Sequence, residues 1–142
     1  MEIVDQTESV KGESGEQPIS SPLLNRPGAV FIPVRDIEKA RDWYCRILGI
    51  PSSTVTIMNG HLCSLPVDGS GIILDTMPMW GGNAPGGAPT FRTPAFMLLT
   101  EELDASYAFM KDHGAELVTD IQDDHWFVFR DPDGNMIMVC RA

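Results

Sequence analysis

Apolar and polar residues follow one another along this chain in a pattern that predicts a strand, a helix and three short strands. The first strand covers the apolar run 29–34, and the helix after it opens at Asp36 and stops at Gly49. Inside the helix, the apolar side chains recur at helical spacing and form one stripe. The strands that follow are predicted at 54–58, 61–67 and 71–77.

Two dipeptides separate those short strands and predict hairpins. Asn59-Gly60 and Asp68-Gly69 supply residues that accept a positive φ angle, as tight turns between antiparallel strands require. A Gly- and Pro-rich segment at 81–93 comes next. A loop of this length in a compact domain is typically a functional lid or a linker.

The same order of elements then recurs in the second half of the chain. A strand at 94–100 precedes a helix that opens at Glu101 and ends at Gly114. A shift of 66 positions superposes 29–32 on 95–98. The chain is therefore predicted to be an α+β fold with two tandem βαβββ modules. The last three strands are predicted near 116–121, 126–129 and 135–140.

This repeat divides the chain into a tail at 1–26, a first module at 27–80, a linker at 81–93 and a second module at 94–142. The acidic tail is rich in Glu, Ser, Gln, Gly and Pro and is interpreted as flexible. A short arm that docks on a partner subunit is the alternative. Because each module alone exposes one apolar sheet face, the two modules pack together or exchange with another chain.

Charge and composition exclude several kinds of partner. The formal net charge is −10 and no local Lys/Arg cluster offsets it, so a nucleic acid is not expected. No apolar run is long enough to span a bilayer, and the N-terminus lacks the pattern of a secretory signal. Three cysteines in apolar segments, Cys45, Cys63 and Cys140, fit buried free thiols and a cytoplasmic location.

Two parts of the sequence resemble a known superfamily. The first is the strand-to-helix junction IPVRDIEKA at 32–40, followed by WY at 43–44 and LG at 48–49. The second, which is the stronger, is the turn FRDPDGN at 129–135. Together with the repeat they resemble the vicinal oxygen chelate superfamily, which includes glyoxalase I, bleomycin-resistance proteins and extradiol dioxygenases. The resemblance covers 28–142 and implies two modules whose sheets curl around a cup-shaped site.

The resemblance also implies where a metal ion would be held. Metal-dependent members bind a divalent ion with one residue from each of four strands, and the matching positions here are Ala29, Asp75, Ala95 and Met138. Neither Ala nor Met replaces an oxygen or nitrogen ligand, and one carboxylate cannot hold a catalytic ion alone. No metal and no cofactor is therefore expected, and a catalytic role is not favoured.

The three histidines offer little support for another metal site. His113 lies at the predicted end of a helix, where a cation complements the helix dipole. His61 and His125 each begin a strand beside a polar turn and are interpreted as surface residues. His125 is the one that, next to Trp126, is placed to reach the rim of the cup.

Asp75 interrupts an otherwise apolar strand and is the most informative polar residue of the cup. A buried, unpaired carboxylate is costly, so either a ligand group pairs with it, or it lies exposed or salt-bridged near the strand end. Strand alternation directs mainly apolar residues toward the cup, where they line a pocket or fill the space. The predicted ligand-binding residues are Ala29, Phe31, Ile73, Asp75, Met77, Trp80, Ala95, Met97, Trp126, Met136 and Met138.

Three functions remain open at this point. The leading hypothesis is a metal-independent protein that binds a small apolar or aromatic ligand in the cup, for sequestration or sensing. The second is a divalent-metal-dependent lyase, isomerase or dioxygenase with a non-standard ligand set around Asp75. The third is a non-catalytic dimeric scaffold whose cup is filled. A homodimer is also expected, since members of the family often pair.

Overall fold

Two sheets, each packed against one long helix, make up the fold. The computed structural model describes residues 17–142, and its first module contains β1 (Ala29–Pro33), α1 (Ile37–Leu48), β2 (Leu62–Leu65) and β3 (Gly71–Asp75). The second module contains β4 (Met97–Thr100), α2 (Leu103–Asp112), β5 (Glu116–Leu117), β6 (Trp126–Arg130) and β7 (Met136–Arg141). Over residues 17–142, no helix has the length and apolar character needed to cross a membrane.

Strand pairing follows the same plan in the two modules. The first sheet has the order β1-β3-β2 and the second the order β4-β7-β6-β5. In each sheet the module's first strand runs parallel to its last, and the other neighbours are antiparallel. The two sheets confirm the α+β class that the repeat predicted.

One predicted strand of the first module does not form. The segment 54–58 starts at the last residue of a short 3₁₀ turn, Ser52–Thr54, continues without regular structure, and ends at Met58, which makes only an isolated bridge. Pro51 explains the difference, because its carbonyl accepts hydrogen bonds from both the backbone N–H and the hydroxyl of Thr54. Such local bonds compete with a sheet ladder.

Two strands of the second module are shorter than predicted. β5 ends at Leu117, and beyond it the hydroxyl of Thr119, rather than a backbone carbonyl, accepts a backbone N–H of β6 at 3.1 Å. β4 begins at Met97 and not at 94, consistent with the inability of Pro94 to donate to a ladder. Ala95 therefore lies before the strand.

The tail predicted at 1–26 is covered only in part. Residues 1–16 lie outside the described residues. Residues 17–26 form neither helix nor strand, and their side chains are exposed.

Helix α1 begins and ends where the sequence predicts. The Asp36 carboxylate accepts a hydrogen bond from the Lys39 N–H at 3.0 Å, which satisfies one free donor of the first turn. Gly49 adopts the left-handed conformation, with φ of 70°, and ends the helix. The buried stripe of α1 packs on the first sheet and consists of Ile37, Ala40, Trp43, Tyr44 and Cys45.

The two helices and the back faces of the two sheets share one hydrophobic core. Ile32 and Leu74 of the first sheet are fully buried in it, as is Phe127 of the second sheet. Across the module boundary, the ring centroid of Trp43 lies 6.2 Å from that of Phe129. The core therefore joins the modules through their back faces.

The opposite faces of the two sheets, here called front face 1 and front face 2, do not cover each other. Phe31 of the first sheet is 48% exposed, and Met97 and Leu99 of the second are 51% and 67% exposed. Exposed apolar surface of this kind is typical of a ligand or subunit contact. By strand register, front face 1 carries Ala29, Phe31, Pro33, Ile73 and Asp75, and front face 2 carries Met97, Leu99, Trp126, Met136 and Met138.

A buried carboxylate joins the two modules on the core side. Asp131, in the turn before β7, accepts hydrogen bonds from the Tyr44 hydroxyl of α1 at 2.6 Å and from the backbone N–H groups of Asp133 and Asn135 at 2.9 and 2.8 Å. The side-chain amide of Asn135 donates to Asp131 at 2.9 Å and to the Pro33 carbonyl of β1 at 2.8 Å. The closing turn is thus tied to both α1 and β1.

Tyr44 is the buried phenolic donor of this network. Burial raises the pKa of its hydroxyl well above the ordinary value, and the nearby negative charges of Asp131 and Asp133 raise the pKa further. The hydroxyl therefore stays protonated at neutral pH and donates to the Asp131 carboxylate.

Tyr44→Phe removes this donor and keeps the ring. We expect the free energy of unfolding at pH 7 to fall by about 2 kcal/mol, because a hydrogen bond to a buried charged group is lost. Guanidinium denaturation monitored by far-UV circular dichroism measures the change. Below the unfolded pKa of about 10 the Tyr44 contribution is fully present, and it is lost as pH rises through the raised folded pKa. The deficit of the variant should therefore shrink at alkaline pH.

Tyr107→Phe is the matched control. The Tyr107 hydroxyl donates to Asp120 at 3.1 Å on the protein surface, so its loss should leave the free energy of unfolding close to that of the wild type. Equal losses in the two variants, or a Tyr44→Phe deficit that does not change with pH, would contradict the role assigned to the network.

Candidate ligand-binding site

A cavity opens on front face 1, between the ends of β1 and β3 and the loop that follows β3. Its volume is about 490 Å³, a size suited to a small molecule. Among residues 17–142, Asp75 is the one ionisable residue in its lining, and the other lining residues are apolar. The cavity is lined by four residues predicted from sequence, Phe31, Asp75, Met77 and Trp80, and by Pro33, Ala88, Pro89 and Phe91.

The Asp75 carboxylate is buried, and only one of its two oxygens accepts hydrogen bonds from the described residues. Asp75 is 8% exposed at the end of β3. Its Oδ1 accepts hydrogen bonds from Nδ1 of His61 at 2.9 Å and from the backbone N–H of Met77 at 2.8 Å. Since an ionised carboxylate only accepts, the imidazole donates from Nδ1 whether or not Nε2 carries a proton. No described residue hydrogen-bonds to the second oxygen, Oδ2.

His61 is placed beside Asp75 by the β2–β3 hairpin. The antiparallel register pairs Leu62 with Asp75, and the His61 carbonyl accepts the Thr76 N–H at 2.9 Å. The His61 side chain is only partly exposed and does not line the cavity. His61 was interpreted as a surface residue; its side chain is 30% exposed, and the hairpin also brings Nδ1 to a buried acid, a contact that was not predicted.

The other two histidines lie where the sequence predicted. His113 caps the end of α2, with Nδ1 2.9 Å from the Phe109 carbonyl oxygen. His125 is exposed in the turn before β6. Neither lines the cavity.

The loop after β3 folds back tightly beside the cavity. Met77 has a φ of 58°, a conformation that the hydrogen bond from its N–H to Asp75 supports. The N–H groups of Trp80 and Gly82 both donate to the Met77 carbonyl, at 2.9 and 2.8 Å. Gly82 has no room for a side chain, because a Cβ there would overlap the carbonyl oxygen of Thr76. This turn holds Trp80, which is 70% exposed, at the rim.

Gly82→Ala is expected to open this turn. Because the added methyl group overlaps backbone, the free energy of unfolding should fall by about 2 kcal/mol, and chymotrypsin should cleave after Trp80 faster. Limited proteolysis and thermal denaturation measure the two effects. Gly86→Ala is the control, since a Cβ at Gly86 meets no atom within 4 Å. Wild-type behaviour of Gly82→Ala would show that the turn tolerates a side chain.

The remaining predicted site residues do not line this cavity. Ala29 and Ile73 belong to front face 1, and Ala95 precedes β4. The structure therefore brings together the part of the predicted cup that comes from the first module and its following loop. The other four predicted residues, Met97, Trp126, Met136 and Met138, belong to front face 2.

Pro33 and Phe91 are wall residues that the sequence reasoning missed, together with Ala88 and Pro89. Asn135 holds both Phe91 and Pro33 in place. Its side-chain oxygen accepts the Phe91 N–H at 2.8 Å, and its side-chain amide N–H donates to the Pro33 carbonyl. The strand alternation that selected Phe31 extends to Pro33 and offered a signal for it. Phe91 offered none, since it lies in an irregular segment.

The side chains at this site do not fit a divalent metal ion. Of the four positions that the resemblance assigns to metal ligands, only Asp75 carries a suitable group. His61 uses Nδ1 on Asp75, and its remaining Nε2 would add only one further donor from a side chain that does not line the cavity. Over residues 17–142 there is no group of three His, Cys, Asp or Glu side chains arranged to hold a metal.

The cysteines are not arranged as nucleophiles for this site. All three are free and buried, and none lines the cavity. Burial raises the pKa of both the Cys45 and the Cys63 thiols, which favours the unreactive protonated form.

Sequence comparison assigns the chain to one family. The profile of the glyoxalase/bleomycin resistance protein/dioxygenase superfamily matches residues 26–139. The chain therefore belongs to this superfamily, as its closing turn and its internal repeat predicted. No curated protein sequence matches the chain.

Solved structures with a similar fold come from several bacteria. TnmS3, an antibiotic binding protein from Streptomyces sp. CB03234, superposes with a TM-score of 0.62 at 21% identity, over 85% of this chain and 98% of that chain. TioX from Micromonospora sp. ML1 superposes with a TM-score of 0.62 at 17% identity, over 81% of this chain and 97% of that chain. A superfamily member from Sphaerobacter thermophilus DSM 20745 superposes with a TM-score of 0.61 at 20% identity, over 84% of this chain and 98% of that chain. At these identities the likeness shows the fold alone.

Proposed function

We propose that this protein binds a small aromatic or apolar molecule in the cavity of front face 1 and does so without a metal ion. The observation that carries the proposal is the lining, in which apolar and aromatic side chains surround a single carboxylate. Small-molecule pockets are typically apolar with a few polar groups that orient the ligand. Exposed Trp80 and flexible Met77 suit ligands of varied shape.

Metal independence is supported by the chemistry of the donor positions. Ala29, Ala95 and Met138 stand where the resemblance places three of four ligands. Their side chains offer no hard or borderline donor, whereas divalent ions in such cups require several nitrogen or oxygen ligands. Binding, rather than metal-assisted catalysis, is thus the role that these residues favour.

The class of ligand and the location follow from two further observations. TnmS3 is an antibiotic binding protein, and its fold is the fold of this chain. We therefore assign to the cavity an antibiotic or a molecule of similar size, which the protein sequesters. The three free, buried cysteines support a reducing cytoplasm as the place where it does so.

A second copy of the chain completes the cup in this proposal. The back faces of both modules are used in the shared core, while Phe31 on front face 1 and Met97 and Leu99 on front face 2 are exposed. Apolar surface of this extent is covered in a stable homodimer if front face 2 of one copy lies over front face 1 of the other. The ligand then lies between two walls.

Ligand binding is tested with N-phenyl-1-naphthylamine, a neutral aromatic dye that fluoresces in apolar surroundings. The wild type should bind the dye saturably and gain thermal stability by mass action. Phe31→Ala removes one wall and should weaken binding by about tenfold, the effect of losing part of one buried aromatic contact. Met79→Ala is the control, because Met79 is exposed in the same loop and does not line the cavity.

Two results would overturn this reading. Undiminished dye binding by Phe31→Ala would place the dye elsewhere on the protein. Stoichiometric metal in protein purified without chelator, removed by Asp75→Ala, would contradict metal independence.

The homodimer is tested by sedimentation velocity. Leu99→Lys places a charge on front face 2 and should convert the wild-type dimer to a monomer. Phe109→Lys is the control, since Phe109 is also exposed but lies on α2 rather than on either front face. A wild-type monomer, or a Leu99→Lys dimer of unchanged affinity, would contradict the arrangement.

A further inference from the structure

The unpaired oxygen of Asp75 indicates what chemical group the ligand carries. We propose that the cavity selects aromatic molecules bearing a protonated amine or a similar cationic N–H group, which donates to Oδ2 of Asp75. This inference rests on the binding function proposed above and specifies the class of ligand for the same cavity.

The charge balance of the cavity supports a cationic ligand. Asp75 is 8% exposed, and the part of the chain that the structure describes contributes no Lys or Arg to the lining around its carboxylate. Arg35 contacts the same loop, but its Nε donates to the Gly86 carbonyl at 3.3 Å and its side chain does not line the cavity. Burying a carboxylate away from water costs free energy, and a ligand cation recovers part of that cost.

The geometry of Asp75 leaves one acceptor free for the ligand. Both of its internal hydrogen bonds, from His61 and from the Met77 N–H, are made to Oδ1. They hold the carboxylate in one orientation and leave Oδ2 without a partner among residues 17–142. A preoriented acceptor loses little entropy when it binds a donor. His61 acts here as a positioning residue, because it does not line the cavity itself.

Aromatic rings beside this acceptor suit the same ligand. Phe31, Trp80 and Phe91 line the cavity together with Asp75. Ring faces attract cations, and they also stack on an aromatic ligand. A flat ring system with an attached ammonium group therefore satisfies the apolar walls and the carboxylate at once.

A matched pair of probes isolates the charge. 1-Naphthylmethylamine is protonated at neutral pH, whereas 1-naphthylmethanol carries the same ring without a charge. In competition with the naphthylamine dye, the wild type should bind the amine at least about tenfold more tightly than the alcohol, as expected for a partly buried charge pair. Asp75→Asn should abolish this preference, because the amide carries no charge while its oxygen still accepts from Met77.

Variants of His61 test its positioning role separately. His61→Ala should reduce the ratio of amine to alcohol affinity, since the carboxylate loses one of the bonds that orient it. His61→Asn should restore the preference, because its amide N–H replaces the Nδ1–H donor. Equal losses in both variants would contradict positioning through this hydrogen bond.

The outcomes separate this inference from the function on which it rests. If the wild type binds neither naphthalene probe, the proposed binding function fails. If it binds amine and alcohol equally, and Asp75→Asn changes neither, the cavity binds aromatic molecules but the cation preference is wrong. The wild-type comparison decides this even if Asp75→Asn does not fold.

Discussion

The Asp131 carboxylate is the contact on which the relation of the two modules depends. It is buried, and it is tolerated there because four donors reach it, from Tyr44, the Asp133 N–H, and the backbone and side chain of Asn135. A buried charge that loses a partner is strongly destabilising. Since the donors come from α1 and from the turn before β7, the modules cannot slide past one another without breaking this set.

That constraint reaches the candidate site through one side chain. Asn135 belongs to the Asp131 network, and its two remaining bonds fix the Pro33 carbonyl and the Phe91 N–H. Both of these residues line the cavity on front face 1. A turn of the second module therefore sets the position of two walls of a site built on the first module. The motif that marks the superfamily in sequence is also a structural part of the candidate site.

Local patterns accounted for most of the fold, because helix caps, turn dipeptides and strand alternation act over a few residues. They located α1 and predicted Phe31, Asp75, Met77 and Trp80, which the structure gathers in one cavity. The His61–Asp75 pair was missed: the hairpin centred on Asp68-Gly69 brings the two residues to neighbouring positions, but strand alternation alone would direct their side chains to opposite faces. Contacts between residues far apart in the sequence were not predicted for a different reason.

Phe91 shows why those contacts cannot be read from a single sequence. Its place in the wall depends on a hydrogen bond to Asn135, which lies 44 residues further along the chain. Nothing in its own neighbourhood, an irregular Gly/Pro-rich segment, has a periodicity that indicates a direction. Ala95 illustrates the opposite error: the internal repeat assigned it to a strand, but pairing in β4 starts at Met97.

The environment of Asp75 links the two proposals made for this site. In a single chain the cavity is open toward solvent on front face 1, so water surrounds part of a bound cation and weakens its attraction to the buried carboxylate. A second copy laid over that face would exclude water and lower the local dielectric, so the same carboxylate would bind a ligand amine more strongly. Because a ligand enclosed in this way contacts both copies, its binding would also stabilise the dimer, and the two equilibria are coupled through one buried acid.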